Sequence, residues 1–149
     1  MRRLRGTDAA ALRDMLRVFA DAFEDPDSYL TRQPSDAYLE RLLASEAFLC
    51  VAAFSGDEVV GGLAAYVLPK FEQPRSELYI YDLAVHAEYR RRGIATSMIE
   101  VAQRLAAESG SHVLYVQADP GDDPAIALYS KLGTREDVLH FDIPPKGGS

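Results

Sequence analysis

Three stretches of this 149-residue chain hold residue types that could do chemistry. In the first, Asp82-Leu83-Ala84-Val85 leads through Arg90-Arg91-Arg92-Gly93 into Ile94-Ala95-Thr96. A strand running through such a turn into a helix aims free backbone N–H groups and the positive end of the helix dipole at one place. That place suits a phosphate or pyrophosphate. Gly93 lets the backbone approach the anion without a Cβ in the way. The spacing Arg90-x-x-Gly93-x-Ala95 is neither a Walker loop nor a three-glycine dinucleotide fingerprint. Alone, it also fits a solvated basic loop. The second feature is Asp82 itself, a carboxylate inside the apolar run Tyr79-Ile80-Tyr81-Asp82-Leu83-Ala84-Val85. Burying it unpaired is costly. Either backbone amides or an arginine satisfy it, or it faces a reaction cleft. The third is Asp122-Asp123-Pro124-Ala125-Ile126-Ala127-Leu128-Tyr129. A phenol such as Tyr129 can give a proton or a hydrogen bond to a leaving group, or it can be a core aromatic beside Leu128 and Leu132.

The elements that must position these residues follow from periodicity. Leu12, Met15, Leu16, Phe19 and Phe23 fall at helical spacing behind Thr7 and Asp8, predicting a helix over about 8–22. Ser35-Asp36 caps a second over about 36–45. Strands are expected at 48–54 and 58–68, joined as a hairpin by Ser55-Gly56-Asp57, and at 77–85. A third helix runs from Ile94 to near Gly110, followed by a strand at 112–117. Asp123-Pro124 opens a fourth helix with proline at its first position, and Gly133 closes it as a C′ glycine. A last strand is expected at 138–143, and the tail from Pro144 should fray. The order is β-α-α-β-β-β-α-β-α-β. Strand 77–85, helix 94–109 and strand 112–117 form a βαβ unit, so those strands should be parallel. The expectation is one α/β domain over 1–149 with a mixed, mostly antiparallel sheet and about four helices.

Composition narrows the function classes. Apolar residues make up 48 % and charged residues 26 % of the chain, as in ordinary soluble globular proteins. No apolar run approaches the length of a membrane span. The basic start Met1-Arg2-Arg3-Leu4-Arg5 is interrupted by Asp8 and Arg13 where an export signal needs its apolar stretch, so a cytoplasmic location is expected. The net charge of −7 argues against a nucleic-acid partner and is compatible with a cationic one. Cys50 is the only cysteine and lies in an apolar strand, which makes it an inert core thiol. His86, His112 and His140 lack metal-ligand spacing, and no metal is expected.

The basic turn, the element order and the run Ala125-x-x-Leu128-Tyr129-x-x-x-Gly133 together resemble the GNAT acetyltransferase superfamily. Further runs narrow the likeness: Leu63-Ala64-Ala65-Tyr66-Val67-Leu68-Pro69-Lys70-Phe71-Glu72-Gln73, Tyr115-Val116-Gln117-Ala118-Asp119 and His140-Phe141-Asp142. These look like the gentamicin-type aminoglycoside 3-N-acetyltransferases, over about residues 29–142. The resemblance implies a GNAT acyltransferase fold in which strand 77–85 splays from its parallel neighbour. It implies acetyl-CoA as co-substrate, its pantetheine arm held by the main chain of Leu83, Ala84 and Val85. Its pyrophosphate would sit on Arg90, Arg91, Arg92, Gly93, Ile94, Ala95 and Thr96. Asp122 and Tyr129 would also lie on the CoA side, with Tyr129 protonating the departing thiolate. Asp122 stands where many relatives have asparagine, and Thr134 where many have phenylalanine.

The implied acceptor is a cationic aminoglycoside. A bound ammonium has no lone pair, and a simple alkyl amine has a pKa of about 10, so a base must take a proton before attack. Asp82 is the candidate base or base-side anchor, with Glu77, Asp119 and Asp142 as further substrate-binding acids. For Asp119 a role in turn chemistry stands equally open; for Asp123 capping is the stronger reading. The expected reaction is direct transfer through a tetrahedral intermediate, without an acyl-enzyme on Cys50. Alternatives are acetylation of another polyamine or a protein amine, or a CoA-binding sensor without turnover. A homodimer is implied by the resemblance alone.

Overall fold

The computed structural model describes residues 1–147. The chain forms two compact units, Met1–Gln117 and a second beginning at Ala118.

The first unit is built on a five-stranded sheet in sequence order. Its strands are β1 (Arg2–Arg3), β2 (Phe48–Ser55), β3 (Glu58–Pro69), β4 (Ser76–Val85) and β5 (Ser111–Val116). The first three pairings are antiparallel, and β4 with β5 is parallel, joined by helix α4 (Ile94–Glu108). The expected hairpin and βαβ unit are both present. Three helices precede the hairpin: α1 (Ala9–Ala22), α2 (Pro26–Tyr29) and α3 (Asp36–Ala44). The four-residue α2 was not expected. With α5 (Asp123–Leu132) of the second unit the helices number five among the described residues, not four.

Helices cover both faces of the sheet. Leu12, Met15 and Phe19 of α1 pack with Leu39 and Leu43 of α3 against Phe48, Cys50, Ala52 and Ala84. On the other face α4 buries Met98, Ile99 and Ala102. Two adjacent glycines of β3 let the helices come this close. A Cβ on Gly62 would collide with the Met15 side chain, and one on Gly61 would meet Met98 at 3.3 Å. Buried on both faces, β2 reads as an unbroken apolar run from Phe48 to Ala53. Cys50 lies there, its thiol pushed up to about 12 by burial and its Sγ 3.6 Å from the Met15 sulfur.

The expected helix caps need two corrections. In α5 Asp122, not Asp123, takes the N-cap, its carboxylate accepting from the Ala125 amide at 3.4 Å; Pro124 is therefore the second helical residue. Gly133 has φ −148° and ψ −176°, extended backbone rather than the left-handed C′ conformation. The strand expected at 138–143 does not form. Its side chains are exposed, Leu139 by 84 % and Ile143 by 87 %. An alternating apolar segment becomes a strand only when an edge pairs with it, and none of the described residues does so.

No helix among the described residues is long and apolar enough to cross a membrane.

Candidate active site

Strand β4 is paired along its whole length with β3 but only from Ser76 to Ile80 with β5. Beyond the Ile80–Val116 pair the parallel neighbours part, so Tyr81 to Val85 have an open edge. The ladder indicates which backbone groups face it. The His86 amide bonds the Val60 carbonyl at 2.7 Å. Backbone polarity alternates along a strand, so Ala84 and Asp82 also turn theirs to β3, while Leu83 and Val85 face the opening. The Val85 carbonyl is indeed reached there by the Arg90 guanidinium, Nε to O 3.1 Å.

A β-bulge aims the side chains. Asp82 pairs with Ala64, but the next pair is Ile80 with Ala65, so Tyr81 is an extra residue in β4. Ala64 and Ala65 point to opposite faces of the sheet, and so do Asp82 and Ile80. Simple alternation along the strand would put Asp82 with Ile80 and Ala84, and Tyr81 on the opposite side. The bulge corrects this. Asp82 and Ala84 face α1, and Tyr81 joins them, its ring 5.7 Å from Tyr66 and 5.9 Å from Tyr79. Tyr66 in turn packs on Phe48 of the α1-side core.

Asp82 is half-buried, and burial raises its carboxyl above the usual carboxylate range; a hydrogen bond from Tyr29 opposes the shift. That bond runs from the Tyr29 hydroxyl to Oδ2 at 2.9 Å. No lysine, arginine or histidine among the described residues lies within ion-pair distance of Asp82. Tyr29 was not foreseen as a site residue. Asp25-Pro26 just before it is a cap-and-proline start signal that could have pointed to α2.

At the end of β4 the chain makes a 3-10 turn, Ala87–Tyr89, and enters the basic loop. Arg91 (φ 63°) and Gly93 (φ 76°) are both left-handed. Gly93 is the N-cap of α4 and offers no side chain to the first turn, which also holds no acid. The amides of Ile94, Ala95 and Thr96 consequently have no acceptor among the described residues; the first helical bond is Ser97 N–H to the Gly93 carbonyl at 3.0 Å. Arg92 lies over the Tyr89 ring, 5.0 Å from its centroid, and Arg91 is exposed. Uncapped amides and a helix dipole meet at one turn whose sequence also carries three arginines, chemistry that suits a pyrophosphate.

The other candidate acids are Glu77, Asp119, Asp122 and Asp142. Glu77 bonds Lys70 at 2.7 Å, which holds its carboxyl below the usual range. It lies five residues back along β4, roughly 16 Å from Asp82 at a strand's rise. The remaining candidates belong to the second unit. There Asp122 caps α5, the Asp119 carbonyl accepts from the Asp122 amide at 3.1 Å, and exposed Asp142 bonds His140 at 2.8 Å. Tyr129 lies half-buried on α5, its phenol pushed up by burial and by the Asp122 charge.

Comparison with known proteins gives this geometry a family. The sequence profile of the Acetyltransferase (GNAT) family matches residues 12–134. Among solved structures, an aminoglycoside acetyltransferase from an uncultured soil metagenomic sample is 52 % identical, with a TM-score of 0.95 over 97 % of each chain. A second such enzyme, also from soil and solved with sisomicin, is 31 % identical, with a TM-score of 0.89 over 97 % of this chain and 95 % of that one. An N-alpha-acetyltransferase of Sulfurisphaera tokodaii is 31 % identical over 122 residues, covering 74 % of this chain and 68 % of that protein. The match to the Saccharolobus solfataricus N-alpha-acetyltransferase covers only 53 % of that protein. On the profile match, which takes in most of its length, the chain belongs to the GNAT acetyltransferase family.

Proposed function

We propose that this acetyltransferase moves the acetyl group of acetyl-CoA onto the 3-amino group of a 2-deoxystreptamine aminoglycoside, working in the cytoplasm. The observation that carries the reading is Asp82, a half-buried carboxylate beside an open strand edge whose one side-chain hydrogen-bond partner among the described residues is a neutral phenol. A carboxylate without a cation of its own can take the substrate's ammonium. The likeness to aminoglycoside acetyltransferases over nearly the full chain supports the acceptor class. A net charge of −7 also favours a polycation near the surface.

GNAT acetyltransferases use acetyl-CoA, here a co-substrate that supplies the acetyl thioester. The chain's residues divide the remaining work. The loop from Arg90 to Thr96 holds the pyrophosphate. The open-edge groups of Leu83 and Val85 hold the pantetheine arm; Ala84 supports them from within the β3 ladder. Asp82 accepts the proton that the ammonium must lose, leaving a neutral amine to attack the carbonyl carbon. The Val85 N–H receives the developing oxyanion, as preorganised amides do. When the C–S bond breaks, Tyr129 gives its phenol proton to the thiolate. Asp119, Asp142 and Glu77 contribute negative charge toward the polycation, and Asp122 reaches the CoA side.

A second reading is acetylation of a peptide α-amine, favoured by the likeness to the N-alpha-acetyltransferase of S. tokodaii. We further propose that the chain works as a homodimer, which would cover the exposed apolar segment 138–143.

The deciding experiment measures CoA-thiol release with gentamicin, apramycin, kanamycin, spermidine and a peptide, with NMR of the product to locate the new amide. Turnover of gentamicin with acetylation at the 3-amino group is expected. Turnover of the peptide alone would establish the second reading instead, and acetylation at another ring amine would refute the 3-position.

A further inference from the structure

We infer that Tyr29 is a positioning residue for Asp82: its hydroxyl occupies Oδ2 and leaves Oδ1 to meet the incoming ammonium. The inference rests on the reading of Asp82 as the base.

A four-residue helix cannot hold a side chain in place by itself, and the structure shows what holds this one. The Asp25 carboxylate caps α2 by accepting from the Ser28 amide at 3.2 Å. Below it, the Gln33 amide donates to the Tyr29 carbonyl at 3.2 Å. Gln33 is itself fixed by Arg13 of α1, whose guanidinium donates to Gln33 Oε1 at 2.7 Å, to the Pro34 carbonyl at 2.9 Å and to Asp36 at 2.6 Å. The Tyr29 ring packs 5.8 Å from both Phe19 and Phe23. A chain of contacts thus leads from a rigid helix to one phenol, and that phenol ends on the carboxylate.

The other titratable groups facing the pair are Asp25 on the α2 side, Tyr66 on β3, and Tyr79 and Tyr81 on β4. None is a cation, so among the described residues Tyr29 supplies the one interaction that favours the ionised form of Asp82 against its burial. A bond to the charged form keeps the base deprotonated at lower pH. Its loss raises the proton affinity of Asp82 and frees the carboxylate to rotate.

Tyr29→Phe keeps the ring packing and removes only the hydroxyl. The test is a carbon-13 NMR titration of carboxylates in the full chain, with the Asp82 signal identified by its absence in Asp82→Asn. The pH profile of kcat/KM toward gentamicin is recorded beside it. In Tyr29→Phe the Asp82 midpoint is expected to rise by about one pH unit. The acid limb of kcat/KM should move up with it, so that activity lost at acid pH returns as the pH rises. Tyr66→Phe should leave the midpoint in place. An unmoved Asp82 midpoint in Tyr29→Phe, or an equal shift in Tyr66→Phe, overturns the inference. A shifted midpoint in a protein that turns over no aminoglycoside leaves Tyr29 assigned and sinks the function proposed for the site.

Discussion

Asp82 combines two properties that pull against each other. Burial makes its charge costly, and the same charge is needed to accept a proton. Asp82→Asn should therefore cut kcat for acetyl transfer at least about 100-fold, as removal of a positioned base does. If only the aminoglycoside KM rises, Asp82 anchors the substrate and another group is the base. The variant should also be more heat-stable at alkaline pH. A carboxyl whose folded pKa is raised stabilises the fold fully below the unfolded value of about 4. That contribution is lost as the pH rises through the folded value. The asparagine carries no such penalty, so melting curves should separate above this window, variant higher, and converge toward pH 4. In the proposed mechanism Tyr129 carries the opposite duty. Burial and the Asp122 charge raise its phenol pKa, keeping its proton available for a leaving group. Tyr129→Phe should lower kcat about tenfold or more with acetyl-CoA affinity nearly unchanged by calorimetry. An unaltered kcat would take Tyr129 out of the mechanism.

The local elements explain why those residues stand where they do, and also why only some of this was legible in the sequence. Long elements with a sustained period, such as α1, α4 and the β2–β3 hairpin, were readable because many side chains repeat one message. Asp82 could be singled out as a charge in an apolar strand, but its face could not. The bulge at Tyr81 depends on which β3 residue pairs with which β4 residue, a non-local match that alternation within β4 does not contain. Tyr29 was missed as a site residue because four residues show no period. Segment 138–143 was over-read because alternation records a propensity and not a partner. The basic loop was legible for a local reason: Gly93 must adopt φ 76°, which an L side chain resists. Nothing lies within 4 Å of a Cβ placed there, so the obstacle is backbone strain rather than crowding within the protein. Gly93→Val should consequently leave most of the melting temperature intact while weakening CoA binding more than tenfold by calorimetry. Wild-type CoA affinity in this variant would remove the loop from the anion site.

Across the molecule, two features left without partners have complementary needs. Strand β5 is the last of its sheet, pairing with β4 on one edge only among the described residues. An open edge of that kind invites another strand. The second unit carries Val138, Leu139, Phe141 and Ile143, with Phe141 76 % exposed. A contiguous apolar stretch left in water marks an interaction surface. A second copy of the chain offers both halves of the match, because in a two-fold dimer each β5 edge receives one segment and gives one. The proposed homodimer should therefore appear in sedimentation at micromolar concentration. Phe141→Asp combined with Ile143→Asp should shift it to monomer, since each buried apolar side chain contributes about 2 kcal/mol and a charge there would have to be desolvated. The first unit should keep its melting transition in that variant, because neither residue belongs to its core. A wild-type monomer would mean that some other surface covers the segment, and a dimer indifferent to both substitutions would place the interface elsewhere on the chain.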